Sequence, residues 1–185
     1  LDNGYYDLLA SEARLACYAA IASGQLPFDH WFALGRRLTT VRGRQMLLSW
    51  SGSMFEYLMP LLVMPGFEGT LLDQTCRAAV VRQIEYGRQR GTPWGISESC
   101  YNLTDFEGTY QYRAFGVPGL GLQRGLADDV VVSPYASMLA LLVDPQRACA
   151  NLRRMAEKPY IGPYGFFEAI DFTPARLPAG EREAV

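Results

Sequence analysis

The feature that most constrains this chain is an alternation of sharply bounded helical stretches with long segments rich in glycine, proline and aromatic residues. Thr70 with Asp73 three residues on forms a capping pair, and Leu71, Leu72, Cys76, Val80 and Ile84 then recur on one face until Gly91 and Pro93 stop the pattern. That spacing predicts a helix reaching Arg90. Ser133-Pro134 and Asp144-Pro145 each put a capping residue before a proline at the first helical position, predicting helices near 134–143 and 145–157 joined by a tight corner. Leu8, Leu9, Ala13, Leu15, Ala16, Ala19 and Ala20 predict an opening helix over Tyr5–Ser23, ended by Gly24, and a short aromatic helix follows from Pro27 to Leu34. Arg36–Arg44 reads as a polar loop, and Gln45–Trp50 fits strand and extended loop equally. The segments 49–69, 91–132 and 158–180 are too long and too aromatic to be plain connectors. Binding and catalytic groups concentrate on loops of this kind held by a rigid scaffold. The expectation is an all-α frame with one decorated face.

At 185 residues the chain has room for one domain, 1–185, with 49% hydrophobic residues to fill its core. Seventeen basic against nineteen acidic residues, a formal charge of −2, argues against a nucleic-acid partner held by phosphate neutralisation. Lys158 is the sole lysine; arginine, the rest of the basic set, suits planar pairing with carboxylates and stacking on rings. Cys17, Cys76, Cys100 and Cys149 are too widely spaced for a zinc site, and the first, second and fourth lie in apolar helical stretches, where buried thiols in a reducing compartment are expected. No basic segment leads into an apolar run, and no apolar run approaches the length of a membrane span. The chain starts at Leu1 rather than Met, which reads as a piece of a longer protein.

Three acids sit in the aromatic loops: Glu56 in WSGSMFEYLMP, Glu98 in PWGISESCYN and Glu168 in YGFFEAIDF. A carboxyl kept from water by rings has its charged form disfavoured, so it can hold a proton for a departing oxygen, while a second carboxylate in a polar setting stays ionised. Two such groups facing each other across a sugar are the minimum equipment for glycosidic-bond chemistry. Glu98 and Glu168 are the best pair by this criterion. The same acids would also serve as helix caps or as partners of the sixteen arginines, and both readings stand at this point. Trp94, Tyr101, Tyr110, Tyr112 and Phe115 surround Glu98, and Tyr164, Phe166 and Phe167 precede Glu168. Sugar rings lay apolar C–H faces on such side chains, though an ordinary core would use them too.

His30, the only histidine, has no GxSxG nucleophile to serve and reads as a structural residue. The glycine runs GVPGLGLQRG and SGSM lack a phosphate-loop lysine and the strand–glycine–helix context of a dinucleotide site. Asp128-Asp129 reads as a solvated turn rather than a metal site.

The strings YYDLLASEARL (5–15), HWFALGR (30–36), LLSWSGSMFEYLMPLL (47–62), TLLDQTCRAAVVRQIEYG (70–87), PWGISESCYN (93–102), YQYRAFGVPGLGLQRGL (110–126), VVSPYASMLAL (131–141) and YGFFEAIDFTP (164–174) together resemble the glucoamylase-like domain of bacterial cyclic β-1,2-glucan synthases. The resemblance covers almost the whole chain. It implies an α/α toroid of helical hairpins, of which 185 residues form only part, as in related endo-β-1,2-glucanases. It implies a β-1,2-glucan substrate and the transglycosylation that closes the ring, without a metal or organic cofactor. It also implies glycosyltransferase and phosphorylase-like domains in the same protein, at the cytoplasmic face of the inner membrane, with no membrane insertion by this segment. Within the matching strings Glu98 is expected as acid/base and Glu168 as nucleophile, and Glu56, Trp94, Tyr101, Tyr110, Tyr112, Arg113 and Asp171 as glucan-binding residues. Inverting hydrolysis and a non-catalytic glucan-holding role are the alternatives.

Overall fold

The computed structural model describes residues 5–185. Among the described residues six α-helices run in chain order: α1 (Ala13–Ala22), α2 (Asp29–Ala33), α3 (Met54–Leu58), α4 (Leu71–Arg90), α5 (Pro134–Leu139) and α6 (Pro145–Ala156). The longest, α4, has the boundaries its sequence predicts: the Thr70 hydroxyl accepts from the Asp73 N–H, and Gly91 closes the helix in the left-handed region. Pro134 and Pro145 open α5 and α6, with the Asp144 side chain accepting from the Arg147 N–H. The opening helix is shorter than expected. Residues before Ala13 are held instead by Gly35, whose carbonyl accepts from the Leu9 N–H and whose N–H donates to the Asp7 carbonyl. The Ser11 hydroxyl then accepts from the Ala13 N–H and starts α1.

The all-α expectation needs correction. Four two-stranded antiparallel sheets lie in the intervening segments: β1 (Leu38–Val41) with β2 (Arg44–Leu47), β3 (Glu98–Thr104) with β4 (Tyr110–Ala114), β5 (Val131–Val132) with β8 (Ile170–Asp171), and β6 (Ile161–Gly162) with β7 (Gly165–Phe166). The polar loop expected over Arg36–Arg44 is half of a hairpin. Arg42 and Gly43 both take positive φ, 49° and 75°, the backbone of a two-residue turn whose twist matches its strands.

The core lies where α4 packs on α3 and β2, and α5 packs on α3 and α6. Met46, Leu47, Tyr57, Leu58, Ala79, Val80, Ala136, Met155 and Ile170 are buried there. Arg14 is buried with them, and its guanidinium donates to the carbonyls of Ser11, Glu56 and Tyr57 at 3.1, 3.2 and 2.6 Å, tying α1 to α3. Cys17 and Cys76 are buried as expected, and burial pushes the Cys76 thiol up to about 11. Cys149 is exposed, because α6 turns Ala148, Asn151 and Met155 inward. His30 lies exposed on α2.

Candidate active site at the start of β3

Glu98 is the first residue of β3, and the chain leading to it is fixed from two helices. Gln83 of α4 donates to the Ile96 carbonyl at 2.7 Å and accepts from the Ile96 N–H at 2.9 Å. Asn151 of α6 does the same for Trp94, donating to its carbonyl at 2.7 Å and accepting from its N–H at 3.3 Å. Buried side-chain amides that satisfy both backbone groups of a non-helical residue hold that segment to one path. Trp94 itself lies in the core against Gly87, where an added Cβ would come within 2.8 Å of the Trp94 Cβ. That placement corrects its expected glucan-binding role, since its ring belongs to the packing under the loop.

Strand alternation then sorts the neighbours of Glu98. Glu98 and Cys100 share one face with Tyr112 of β4, whose hydroxyl donates to Glu98 Oε2 at 2.8 Å. Ser99 and Tyr101 point the other way, as does Arg113, which pairs with Asp129 at 2.8 Å. Arg113 is therefore on the wrong face to meet a sugar held at Glu98. The Ser53 hydroxyl donates weakly to Glu98 Oε1 at 3.4 Å. Burial holds the Glu98 carboxyl above the usual carboxylate range; the Tyr112 bond opposes this, and the negative charges of Glu12 and Glu56 push it further up. A carboxyl so placed can keep a proton for a leaving oxygen.

Glu56 is only 1% exposed, and every group facing it is a donor. Ser53 caps α3, and Glu56 at the third helical position completes the capping box. Its carboxylate accepts from the N–H groups of Trp50 at 3.1 Å, Ser51 at 3.0 Å, Gly52 at 2.9 Å and Ser53 at 3.2 Å. The hydroxyls of Ser49 and Ser51 add bonds of 2.9 and 2.6 Å, and Tyr6 donates to its other oxygen at 3.1 Å. The loop 49–53 is thus wrapped around one carboxylate. Segment 115–122 backs it so closely that a Cβ on Gly116 would fall 1.8 Å from the Ser51 carbonyl oxygen.

That loop presents Trp50, on which Tyr6 stacks with ring centroids 6.1 Å apart. The Tyr6 hydroxyl lies 2.8 Å from Glu12 Oε2 as well as 3.1 Å from Glu56 Oε1. Tyr6, Trp50, Ser51, Glu56, Glu98, Ala114, Leu122 and Gln123 line an open cleft of about 410 Å³. Sequence reasoning missed Tyr6, Glu12 and Trp50. The first two are far from Glu98 in sequence, and no local pattern marks them; Trp50 beside the serine-rich cap was the one available signal.

Glu168 lines a second cleft, of about 300 Å³, with Cys100, Tyr101, Tyr110 and Phe167 among its walls. Its Oε1 accepts from the Cys100 N–H at 3.0 Å, one strand repeat from Glu98, and its charge acts on Tyr112. Glu98 and Glu168 are therefore neighbours along β3 whose carboxylates open into different clefts. Asp171 is 2% exposed and fully engaged, accepting from Arg176 Nε at 2.7 Å and from the N–H groups of Asn102 at 3.2 Å and Thr173 at 2.9 Å. These bonds fix the outer edge of β3, and Asp171 also lines the cleft that holds Glu168. Asp129, expected in a solvated turn, pairs with Arg113 and Arg176. Among the described residues no group of three or more histidine, cysteine, aspartate or glutamate side chains is placed to hold a metal ion, and no helix is long and apolar enough to cross a membrane.

Residues 4–181 match the family described as "Putative glucoamylase". The chain belongs to this family. It is 55% identical over all 185 residues to cyclic β-(1,2)-glucan synthase NdvB of Rhizobium meliloti, of which it spans 6% of the length. Among solved structures it is similar to a "putative glucoamylase" from Bacteroides caccae (TM-score 0.65, 21% identity, 92% of this chain and 43% of that one). It is also similar to an endo-β-1,2-glucanase from Chitinophaga pinensis solved with sophorotriose and glucose (TM-score 0.54, 18% identity, 75% of this chain and 35% of that one). At these identities the two structures speak to the fold, and this chain spans less than half the length of either.

Proposed function

We propose that this chain is a glucan-processing piece of a cyclic β-1,2-glucan synthase and takes part in transferring the end of a β-1,2-glucan chain by a retaining, two-carboxylate route. Its helices would form part of an α/α toroid completed elsewhere in the protein, which would also carry glycosyltransferase and phosphorylase-like domains at the inner membrane. The observation that carries the reading is Glu98: a carboxyl raised by burial at the mouth of a cleft walled by Trp50 and Tyr6, with a second acid acting on it.

Glu98 serves as acid/base. Glu12, which accepts from Tyr6 of the cleft wall and whose charge acts on Glu98, is the better nucleophile than Glu168, whose oxygen is tied to β3 in the adjoining cleft. Glu98 gives its proton to the departing glycosidic oxygen while the Glu12 carboxylate bonds to the anomeric carbon. Glu98, now a carboxylate, takes the proton from an incoming sugar hydroxyl, whose oxygen displaces Glu12. Tyr112 fixes the rotamer of Glu98 throughout, and Glu168 with Tyr101 and Tyr110 forms a flanking sugar site.

The likeness to an endo-β-1,2-glucanase favours one second reading, inverting hydrolysis of the same linkage. A retaining pair stands about 5–5.5 Å apart and an inverting pair about 6.5–9.5 Å apart, with a water between. Incubating the protein with linear β-1,2-glucan separates the two: cyclic products support transfer, and short reducing oligosaccharides support hydrolysis. If Glu98→Gln leaves either product unchanged, the domain only holds the glucan.

A further inference from the structure

Away from the Glu98 cleft, four cations share one hollow. Arg90, the last residue of α4, Arg154 of α6, Lys158 just beyond α6, and Arg182 line a cleft of about 360 Å³ whose walls include Thr92, Tyr160 and Phe172. None of the four has an ion pair with a carboxylate among the described residues. Glu183, the one acid lining the cleft, acts on the Tyr160 hydroxyl, which burial and that neighbouring charge hold above the usual phenol range. The C-terminal carbonyls of α4 and α6 give a local reason for Arg90 and Arg154. They serve Lys158 as well, whose N–H donates to the Met155 carbonyl at 3.1 Å, but give no reason for Arg182. In a chain with a net charge of −2, gathering four unpaired cations, the sole lysine among them, is a standing repulsion that an anion would relieve.

Two further observations point to a bound group. Arg154 Nη1 donates to the Thr92 carbonyl at 3.3 Å, which fixes one guanidinium at the wall before any ligand arrives. Thr92 is only 9% exposed, and its hydroxyl has no hydrogen-bond partner. A buried hydroxyl left unpaired is costly, and this one, with almost no surface open to the cleft, meets a ligand oxygen once the Thr92 side chain turns outward. Guanidinium and ammonium groups beside the half-buried Phe172, backed by the buried Tyr160 with centroids 6.5 Å apart, suit an oxyanion attached to something with an apolar face.

We propose that this cleft is a phosphoryl-binding site, for free phosphate or for a phosphate ester of a sugar, separate from the glucan cleft. The site stands independently of the function proposed above, since the two clefts share no residue. The test is calorimetric titration of the protein, at fixed ionic strength, with inorganic phosphate, glucose 6-phosphate and glucose. Saturable binding of either phosphate compound, with glucose silent, is expected. Tighter binding of glucose 6-phosphate identifies the ester as the ligand, and equal binding identifies free phosphate. Lys158→Ala and Arg182→Ala, both at exposed positions, should each weaken binding about tenfold, the loss of one charge-assisted bond. Thr92→Val removes the hydroxyl with little change of shape and should weaken it as well, while Glu98→Gln leaves it unchanged. No saturable binding, or affinity that ignores both charge removals in proteins shown to be folded by circular dichroism, overturns the proposal.

Discussion

Replacing Glu56 with glutamine tests whether the loop carrying Trp50 is built around a carboxylate. The side chain keeps its shape, but one oxygen becomes an NH2 group in a shell made entirely of donors. If the nitrogen takes the place of Oε1, the Trp50 N–H loses its acceptor, while the Tyr6 hydroxyl keeps Glu12. If it takes the place of Oε2, the Ser51 hydroxyl loses its acceptor, and the Gly52 and Ser53 N–H groups and the Ser49 hydroxyl are left with Ser49 Oγ, Ser51 Oγ and the Leu120 carbonyl. A buried donor left unpaired costs about 1–3 kcal/mol, and charge-assisted bonds are worth roughly twice neutral ones. With one donor orphaned and the charge assistance of the others lost, either orientation costs about 2–4 kcal/mol, against a total stability of roughly 5–15 kcal/mol for a domain. Urea unfolding followed by circular dichroism should show a lower midpoint with an unchanged slope, and the thermal midpoint should fall by roughly 4–16 °C. Glu168→Gln, at an exposed position, is the control and should move stability by less than about 0.5 kcal/mol. A loss below about 1 kcal/mol for Glu56→Gln would refute the claim that this carboxylate organises the loop.

Three other outcomes follow from the same geometry. Glu98 has a folded-state pKa above its unfolded value, so the stability it contributes is present at acid pH and is lost as pH rises through the folded value. Glu98→Gln should therefore raise the thermal midpoint at pH 7, by up to about 2 °C for a part-screened charge, and leave it unchanged near pH 4, as calorimetric scans at both pH values would show. Tyr112→Phe removes a bond that favours the charged form of Glu98, so the alkaline limb of the pH–rate profile should move to higher pH; a shift to lower pH contradicts the assignment. Gly116→Ala drives a Cβ into the Ser51 carbonyl and should cost more than about 3 kcal/mol by urea unfolding, with a matching change in Trp50 fluorescence.

What could be read from the sequence was what is local in the chain. Thr70, Gly91, Pro134 and Asp144 act within a few residues of themselves, and the helix ends they predict are where the structure has them. The hairpin through Arg42 and Gly43 was hidden because its turn uses arginine at positive φ, where asparagine or aspartate is the usual signal. Strands β5 to β8 are two residues each, and β5 pairs across a long separation, Val131 with Asp171, so no periodicity marks them. Glu98 was legible as a carboxyl among rings. Its neighbours were not: Tyr6 and Glu12 lie in the segment before α1, and Glu168 adjoins it only through the edge of β3. Glu56 and Asp171 looked like ligand-binding acids, but a sequence cannot reveal that loop N–H groups and an arginine already saturate them.

The central claim is that the chemistry happens at Glu98, in the cleft lined by Trp50 and Tyr6. Turnover of linear β-1,2-glucan by Glu98→Gln, Glu12→Gln and Glu168→Gln, measured side by side in the intact protein, tests it most directly. The account predicts losses of at least about 100-fold for the first two, the scale of removing a positioned acid, base or nucleophile, and less than about tenfold for the third. Near-normal turnover by Glu98→Gln would contradict it.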